Sequence, residues 1–315
     1  MMDIDIVYTY VNSKDEEWVQ TRNENLNMDE INDCRFRDND ELLFSLRSIE
    51  KYAPWIRKIY IITNSSMPEW LDTSNEKIVI VRHEEIMPES ILPCYNSNVL
   101  EKFFWEIEGL SEIFLFANDD MYFCNHVTKD FFVKDGKPIV RMRKREIVPQ
   151  TDFFRIMYNS QQLFKERYNI QYDLIPTHNI DVYSKSGMQK CKEEFINEFQ
   201  KIYNNKFRTD EDTQRVIFQY YMIYHGLCDL VQYDITSPAG KFVNAMKKIL
   251  LPSKYLDFII YDIHTFFSSK IAKYYFSHRP KLVCINDSEN TSDEELKQYH
   301  ELMLKTFPEK SSFEK

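Results

Sequence analysis

The chain has 315 residues, 43% of them hydrophobic and 15% aromatic, which is enough for a sizeable core in one large domain or two ordinary ones. Its formal net charge of −10 argues against general nucleic-acid binding, which requires a basic face. Only 5 glycines occur and neither GxGxxG nor GxxxxGK[ST] is present, so the common glycine-rich phosphate loops are excluded.

Targeting and cysteine patterns favour a cytoplasmic protein. The acidic N-terminus lacks the basic and apolar regions of a secretory signal, and no stretch of 18 residues is free of charge, so no transmembrane helix is expected. The 6 cysteines are widely spaced and form no CxxC pair, which favours buried free thiols over zinc ligands. They are Cys34, Cys94, Cys124, Cys191, Cys228 and Cys284.

Strands and helices alternate over the first 150 residues. Apolar alternation predicts strands over 4–11, 58–63, 77–81 and 113–117, and helical spacing predicts helices over 41–52 and 98–109, with Gly109 as a C-cap. The segment 18–33 is predicted to be partly helical. This alternation is typical of an α/β protein with a mainly parallel, Rossmann-like sheet.

The strand predicted over 113–117 ends abruptly in Asn118, Asp119 and Asp120. Ligands of open α/β sheets bind just beyond the carboxyl ends of the strands, and paired carboxylates there are suited to a divalent metal. The alternative is a polar turn that closes the strand, since Asn and Asp favour turns.

The pattern changes after residue 150. Long helical patterns, including 188–203 and 211–224, predict a helical region over 151–275. Residues 281–285 are predicted to be a strand that returns to the core, and Thr291 to begin a last helix with acidic residues in its first turn. We therefore expect an α/β core at 1–150, a helical region that packs on the sheet at 151–275, and a return strand and C-terminal helix packing on the core at 276–315.

Four blocks of the sequence resemble the stealth family of hexose-1-phosphate transferases, which includes bacterial capsular polysaccharide phosphotransferases and the catalytic subunit of N-acetylglucosamine-1-phosphotransferase. The blocks are DIVYTYVN at 5–12, a long block from RFRDNDEL at 35–42 to NDD at 118–120, a block from PTH at 176–178 through FR at 207–208 to EDTQ at 211–214, and one beginning with CIND at 284–287. They cover most of the chain in family order. The first block departs from the family, which often has Trp where Tyr10 stands and Gly after Asn12.

The resemblance assigns the principal site residues. It makes Glu101 and Asp120 active-site carboxylates, and with Asp119 they are the expected ligands of Mg²⁺ or Mn²⁺. His178 matches the family's active-site histidine and is expected to be the general base, since His suits proton abstraction near neutral pH. Arg208 matches a family arginine, and its guanidinium suits phosphate oxygens. Each of these residues alone would ordinarily be a solvated surface or core side chain.

Other residues are candidates with an equally plain structural reading. Asp38 is either catalytic or a cap for the helix at 41–52, and Asn12, Asn64 and Asn96 either bind the nucleotide or satisfy turns. Arg143 lies in the compact basic run 141–145, which is either a solvated strand edge or a contact to diphosphate or an anionic polymer.

The resemblance implies a GT-A-like core and transfer of sugar 1-phosphate from a nucleotide sugar, in particular a UDP-N-acetylhexosamine, to a glycan hydroxyl, with release of UMP. The acceptor is expected to be a capsular or similar surface polysaccharide. The enzyme would then work in the cytoplasm, with peripheral docking on a capsule-assembly complex at the inner face of the bacterial membrane as an option. An ordinary metal-dependent GT-A glycosyltransferase that releases UDP, and a non-catalytic glycan-binding scaffold, are the alternatives.

Overall fold

The computed structural model describes residues 2–26, 36–234 and 237–315. The predictions made for Cys34 and for the start of the second block at Arg35 lie outside these ranges. The other five cysteines are unpaired thiols, and four of them are buried.

The strands of the described residues come first. They are β1 (Asp5–Thr9), β2 (Ile59–Ile62), β3 (Ile78–Val81), β4 (Ile113–Asn118), β5 (Met121–Phe123), β6 (Val133–Lys134), β7 (Lys137–Lys144), β8 (Leu174–Pro176), β9 (Asp181–Ser184), β10 (Asp229–Asp234), β11 (Phe258–Asp262) and β12 (Leu282–Asn286).

The α-helices of the same residues follow. They are α1 (Glu16–Asn25), α2 (Glu41–Tyr52), α3 (His83–Ile86), α4 (Ser97–Leu100), α5 (Asp152–Tyr168), α6 (Lys185–Glu194), α7 (Ile196–Ile202), α8 (Val216–Tyr224), α9 (Pro238–Leu250), α10 (Pro252–Tyr255), α11 (Ile263–Ser268), α12 (Lys270–Ser277) and α13 (Asp293–Thr306). Short 3₁₀ segments cover Glu89–Ile91, Glu101–Glu106 and Lys129–Phe131.

The central sheet has five strands in the order β3-β2-β1-β4-β9. Its first four strands are parallel, and β9 pairs antiparallel with β4 at the edge. The chain leaves β1 toward β2 on one side and returns to β4 on the other, so the strand order reverses between β1 and β4. Ligands of open α/β sheets bind at such a reversal. The α/β prediction is confirmed.

Two smaller sheets flank this one. In the first, β7 lies between β10, which is parallel to it, and the antiparallel strands β6 and β8. In the second, β12 lies between the parallel β11 and the antiparallel β5. The region predicted to be helical, 151–275, therefore also contributes the four strands β8 to β11.

Local sequence signals account for the helices that were predicted well. The helix α2 spans the predicted 41–52, with Leu42, Leu46 and Ile49 buried at helical spacing and Pro54 just past its end. The helix α13 begins after Ser292, which forms a capping box with Glu295. Its Tyr299 joins a second apolar cluster that connects α13 to α2 and β12.

Three helix predictions were wrong in extent. The helix predicted over 98–109 is one turn of α4 followed by the 3₁₀ segment Glu101–Glu106, and Gly109 instead occupies a separate turn with φ 72°. The helix predicted over 188–203 is divided into α6 and α7 at Phe195. The helix predicted over 211–224 begins only at Val216. Before that residue, Asp212 accepts hydrogen bonds from Asn96 and Asn98 at the start of α4, and the backbone N–H of Gln214 donates to Ser160 of α5.

Among the described residues, none of the helices combines the length and the apolar character required to cross a bilayer.

Candidate active site

A cleft of about 1270 Å³ opens at the carboxyl ends of β1, β2 and β4. Thr9 at the end of β1 is in register with Ile62 of β2 and Asn118 of β4, so the polar residues after these strands meet at one edge. The two flanking sheets complete the cleft: β7 supplies Arg143, and the end of β12 supplies Asn286. The cleft thus coincides with the reversal of strand order in the central sheet.

The cleft brings together most of the residues that the sequence singled out. Those that line it are Asn64, Asn96, Glu101, Asp119, Asp120, Arg143, His178 and Arg208. Asn12 and Asp38 are not among the lining residues. Asn12 is buried and binds the loop after β2 through Ser65 and Ser66, while Asp38 accepts a hydrogen bond from the hydroxyl of Tyr10 at 3.0 Å.

The acidic wall of the cleft consists of Asp119 and Asp120, in the turn from β4 to β5, and of Glu41 at the start of α2. Burial and the charge of Asp120 raise the pKa of Asp119, and burial and the charge of Glu41 raise the pKa of Asp120. Burial and the charge of Asp119 raise the pKa of Glu41 in turn. The cluster is therefore electrostatically unfavourable when all three groups are ionised.

Glu101 lies deeper, on the 3₁₀ segment rather than on the predicted helix, and is 3% exposed. Its Oε1 lies 3.3 Å from Nη1 of Arg215, whose Nη2 lies 3.5 Å from Asp181 on β9. The guanidinium also lies 4.5 Å from the centre of the Phe116 ring. Arg215 therefore links the third sequence block to β4 and β9 beneath the cleft.

Sequence reasoning missed Arg215 and Asp181. Arg215 directly follows the EDTQ motif, and Asp181 lies three residues after His178, so their positions within the third block were the available signal. A lone Arg ordinarily indicates a solvated charge, whereas this one is 5% exposed and lines the cleft.

Arg215→Ala is expected to lower the free energy of unfolding by about 3–5 kcal/mol, because it leaves two buried carboxylates without their cation. Urea denaturation measures the loss. Arg155→Ala is the matched control, since Arg155 pairs with Asp210 at the surface and is expected to cost less than about 1 kcal/mol. Equal, small losses in both variants would contradict a structural role for the buried pair.

The basic wall of the cleft consists of Arg143, His178 and Arg208. His178 lies in the connection between β8 and β9 and has a φ of 51°, a left-handed conformation that is uncommon outside glycine and often found at functional sites. Its Nε2 lies 3.3 Å from the side-chain nitrogen of Asn286, and its ring packs edge-on against Phe153. Burial and the charges of Arg215, Arg143 and Arg208 lower the pKa of His178 to about 4.

The basic run 141–145 does not form a solvated strand edge, because β7 has neighbours on both sides. Arg141 lies 3.6 Å from the centre of the Phe131 ring, away from the cleft lining. Arg143, two residues further along β7, does line the cleft, and its buried Nε has no hydrogen-bond partner. Burial and the charge of Arg145 lower its pKa to about 10. The position of Arg143 is the one compatible with an anionic ligand.

The far end of the cleft is aromatic and polar. Trp18 donates a hydrogen bond to Asn64 at 2.7 Å and contacts Phe36 and Tyr95, while Tyr95 stacks on Phe207 with ring centres 5.1 Å apart. Such faces suit a base or a sugar ring. Asn96 caps α4 and donates to Asp212 at 2.7 Å, so its amide is already used within the protein.

The side chains of the cleft could hold a divalent metal only together with oxygen atoms from a bound substrate and water. Among the described residues, no group of three or more His, Cys, Asp or Glu side chains is arranged to hold a metal. The buried Oδ1 of Asp120 and Oε2 of Glu101 nevertheless lack hydrogen-bond partners. Mg²⁺ is commonly held by one or two carboxylates together with substrate phosphates and water, and this donor set is compatible with that mode.

Comparison with known proteins places this cleft in a family context. Residues 35–140, which include the β4 strand end, match the model of Stealth protein CR2, conserved region 2. The chain is 29% identical to the exopolysaccharide phosphotransferase cps2G of Lactiplantibacillus plantarum, over 99% of this chain and 96% of that protein. It is 29% identical to the capsular polysaccharide phosphotransferase WcwK of Streptococcus pneumoniae, over 100% and 99% of the two chains.

A third relative is longer. The capsular polysaccharide phosphotransferase SacB of Neisseria meningitidis serogroup A is 30% identical over 99% of this chain, which spans 57% of SacB. The resemblance to the stealth family and the prediction of a phosphotransferase are both confirmed by these matches. The roles of the individual site residues and the metal stay predictions.

Proposed function

We propose that this chain, which carries conserved region 2 of the stealth proteins, transfers an intact sugar 1-phosphate from a UDP-N-acetylhexosamine to a hydroxyl of a surface polysaccharide. The acceptor oxygen forms a new bond to the phosphorus next to the sugar. The bond from that phosphorus to the bridging oxygen breaks, and UMP leaves with that oxygen. The hydroxyl proton passes to a base of the enzyme, and the product is a phosphodiester.

The observation that carries the proposal is that acidic and basic side chains from different elements line the same cleft. Asp119 and Asp120 follow β4 of the central sheet, whereas Arg143 comes from β7, His178 from the connection between β8 and β9, and Arg208 from the segment after α7. A diphosphate with a bound cation is complementary to this arrangement, since its oxygens suit the arginines and its cation the carboxylates. Phosphoryl transfer depends mainly on positioning and charge stabilisation, which these walls can supply.

Asp120 and Asp119 would hold a divalent metal, Mg²⁺ or Mn²⁺, with Glu101 as a further candidate ligand. When bound, such an ion neutralises charge on the diphosphate. Glu101 is already ion-paired with Arg215, so we assign the main contribution to Asp120, whose Oδ1 has no hydrogen-bond partner.

His178 would take the proton from the acceptor hydroxyl. With a pKa of about 4 its imidazole is neutral at physiological pH, so one ring nitrogen has a free electron pair. A diphosphate bound between Arg143 and Arg208 would offset part of the positive charge that lowers this pKa. Binding of the donor would thereby make His178 a stronger base at the moment when proton abstraction is needed.

Arg208 and Arg143 would bind phosphate oxygens. Arg208 lies at the exposed rim and donates to Ser97 at 2.6 Å, so it can follow an entering donor. We assign the nucleotide end of the donor to the aromatic end of the cleft, where Asn64 and Tyr95 lie. This orientation would direct the sugar phosphate toward His178.

The alternative is an ordinary GT-A glycosyltransferase. The parallel strands, the reversal between β1 and β4 and the acidic end of β4 would serve that reaction equally well, because a fold does not specify which bond breaks. In that case the attack is at the anomeric carbon and UDP is released. We retain a GT-A-like fold as part of the proposal for both cases.

The nucleotide product is expected to be UMP. Incubation with a UDP-N-acetylhexosamine and short acceptor glycans, followed by nucleotide separation and ³¹P NMR, should give UMP and a phosphorus resonance coupled to the anomeric proton and to an acceptor proton. Retained anomeric configuration is expected, since the bond at the anomeric carbon is untouched. Stoichiometric release of UDP together with a phosphorus-free glycan would contradict the phosphotransferase reaction and identify the enzyme as a glycosyltransferase.

Activity is expected to require a divalent cation. Exhaustive chelation should abolish turnover, and added Mg²⁺ or Mn²⁺ should restore it, because burial and neighbouring carboxylates raise the pKa values of Asp119 and Asp120 and a bound cation would stabilise their ionised forms. Equal turnover with chelator and with added metal would show that the reaction does not require a divalent cation.

We place the reaction in the cytoplasm at the inner face of the bacterial membrane, alongside a capsule-assembly complex. Nucleotide sugars are charged metabolites, and the acceptor polysaccharide has to be extended before export.

A further inference from the structure

The helix α9 exposes an apolar face. Phe242, Val243, Met246, Ile249 and Leu250 fall within about one third of the helix circumference at the 3.6-residue repeat. No residue of α9 is buried, and Phe242 and Leu250 are 68% and 67% exposed. The apolar face of a globular helix ordinarily packs on the core, so this face lacks a partner within the chain.

The exposed apolar side chains continue beyond α9. Leu251 follows the helix, and Ile271 and Tyr274 of α12 are exposed beside it, with the hydroxyl of Tyr274 donating to the carbonyl of Ile249 at 2.8 Å. In the part of the chain that the structure describes, eight of the fifteen large exposed apolar side chains lie between residues 242 and 274. We call these eight residues the apolar patch: Phe242, Val243, Met246, Ile249, Leu250, Leu251, Ile271 and Tyr274.

Positive charge surrounds the apolar patch. The only charged residues of α9 are Lys241, Lys247 and Lys248; on the helical repeat Lys247 borders the apolar face, and Lys241 and Lys248 lie on the other side of the helix. Residues 237–281 contain eight Lys or Arg and two Asp, a net charge of +6 in a chain whose formal net charge is −10. Lys254, Lys270 and Lys273 are exposed as well.

The combination of exposed apolar side chains with lysines favours a lipid surface over a protein as the partner of the apolar patch. The cores of protein interfaces are depleted of lysine and combine apolar contacts with charges of both signs at the rim. Helices that lie in the bilayer interface instead carry Phe and Leu on one face and lysines on the other, and anionic headgroups attract those lysines.

We propose that the apolar patch and its surrounding lysines dock the enzyme on an anionic lipid bilayer. The inference rests on the proposed function, because membrane docking would benefit an enzyme that extends surface polysaccharide. The patch is connected to the cleft through two strands: α9 follows β10, whose Tyr233 is in register with Arg143, and Lys248 lies 5.5 Å from the centre of the Phe258 ring on β11, whose Ile260 lines the cleft. A docked enzyme would keep its cleft close to glycans that grow at the membrane.

Vesicle flotation without substrate tests the proposal. The full chain is incubated with vesicles of phosphatidylcholine, with and without phosphatidylglycerol. We expect it to float with the anionic vesicles and to dissociate at high salt, because lysine attraction to the surface is screened. Flotation that is equal on both vesicle types, or absent from anionic vesicles at low salt, would overturn the proposal.

Paired variants separate the two contributions. Lys241→Gln with Lys247→Gln should weaken anionic-vesicle binding about fivefold per lysine, and Phe242→Ser with Leu250→Ser by at least about tenfold. The matched control is Leu304→Ser with Lys305→Gln on α13, where an exposed Leu and Lys lie on a helix rich in acidic residues. Equal losses in the control would overturn the assignment to α9.

Two further measurements keep this inference separate from the proposed function. All variants should retain wild-type turnover on a soluble acceptor, since none of the changed residues lines the cleft. A wild-type protein that releases UMP but does not float with anionic vesicles would overturn the docking alone, whereas a wild-type protein that floats but releases UDP would overturn the phosphotransferase alone. A concentration-dependent dimer that Phe242→Ser abolishes, with no flotation, would assign the patch to a second copy of the chain instead.

Discussion

Asp120→Asn is expected to lose nearly all turnover, on the order of 10³-fold or more, while the fold stays intact. The substitution is nearly isosteric and removes only the charge at the end of β4. Oδ1 of this carboxylate is buried without a hydrogen-bond partner. Single-turnover rates measured beside thermal unfolding would separate a catalytic loss from a folding defect.

The same variant has a predictable effect on stability. Burial and the charge of Glu41 raise the pKa of Asp120 to about 7, so between about pH 4 and 7 the folded protein binds a proton at Asp120 that the unfolded chain has released. The wild type therefore loses stability relative to Asp120→Asn as the pH rises through this window. We expect the difference in melting temperature to be small near pH 4 and largest, in favour of the variant, at and above pH 7.

Divalent cation should reverse that difference. Mg²⁺ or Mn²⁺ at pH 7.5 is expected to raise the melting temperature of the wild type more than that of Asp120→Asn, by binding the ionised carboxylate. Asp130→Asn, at an exposed position outside the cleft, is the control and should respond as the wild type does. A stable Asp120→Asn enzyme with a nearly wild-type rate would exclude Asp120 from the site.

His178→Asn is expected to slow the chemical step by about 10²–10⁴-fold while donor affinity changes by less than about tenfold. Asn is the better replacement than Ala, because His178 has a φ of 51° and Asn adopts this left-handed conformation more readily than Ala. Its amide also preserves a polar group near Asn286. The change therefore removes the base with little disturbance of the backbone.

Donor binding by calorimetry and single-turnover rates at saturating donor distinguish the two roles of His178. The control is His126→Asn, an exposed histidine that does not line the cleft. Weaker donor binding with an unchanged chemical step would make His178 a binding residue, and another group, such as a carboxylate of the acidic wall, would then be the base.

Local sequence signals determined the elements on which the site is built. The apolar run of β4 followed by Asn118, Asp119 and Asp120 indicated a strand with a polar carboxyl end, because strands and turns are encoded by neighbouring residues. The limits of α2 followed from its apolar spacing and from Pro54. The alternation of such elements was sufficient for the α/β class and for the edge of the sheet at which the cleft lies.

The resemblance added positions that periodicity alone does not reveal. Glu101, His178 and Arg208 lie far apart in the chain, and each alone resembles an ordinary surface or core residue. They line one cleft because the fold brings together the 3₁₀ segment after α4, the connection between β8 and β9, and the segment between α7 and α8.

Only the tertiary structure decided how these side chains are charged and paired. Arg215 pairs with Glu101 and Asp181, which precede it by 114 and 34 residues in the chain, and the helix predicted from residue 211 begins only after it, at Val216. The basic run at 141–145 became an inner strand because β10 and β8 pair with it from distant parts of the chain. Pairings of this kind depend on desolvation and long-range contacts, whose free energies exceed local propensities and leave no local pattern in the sequence.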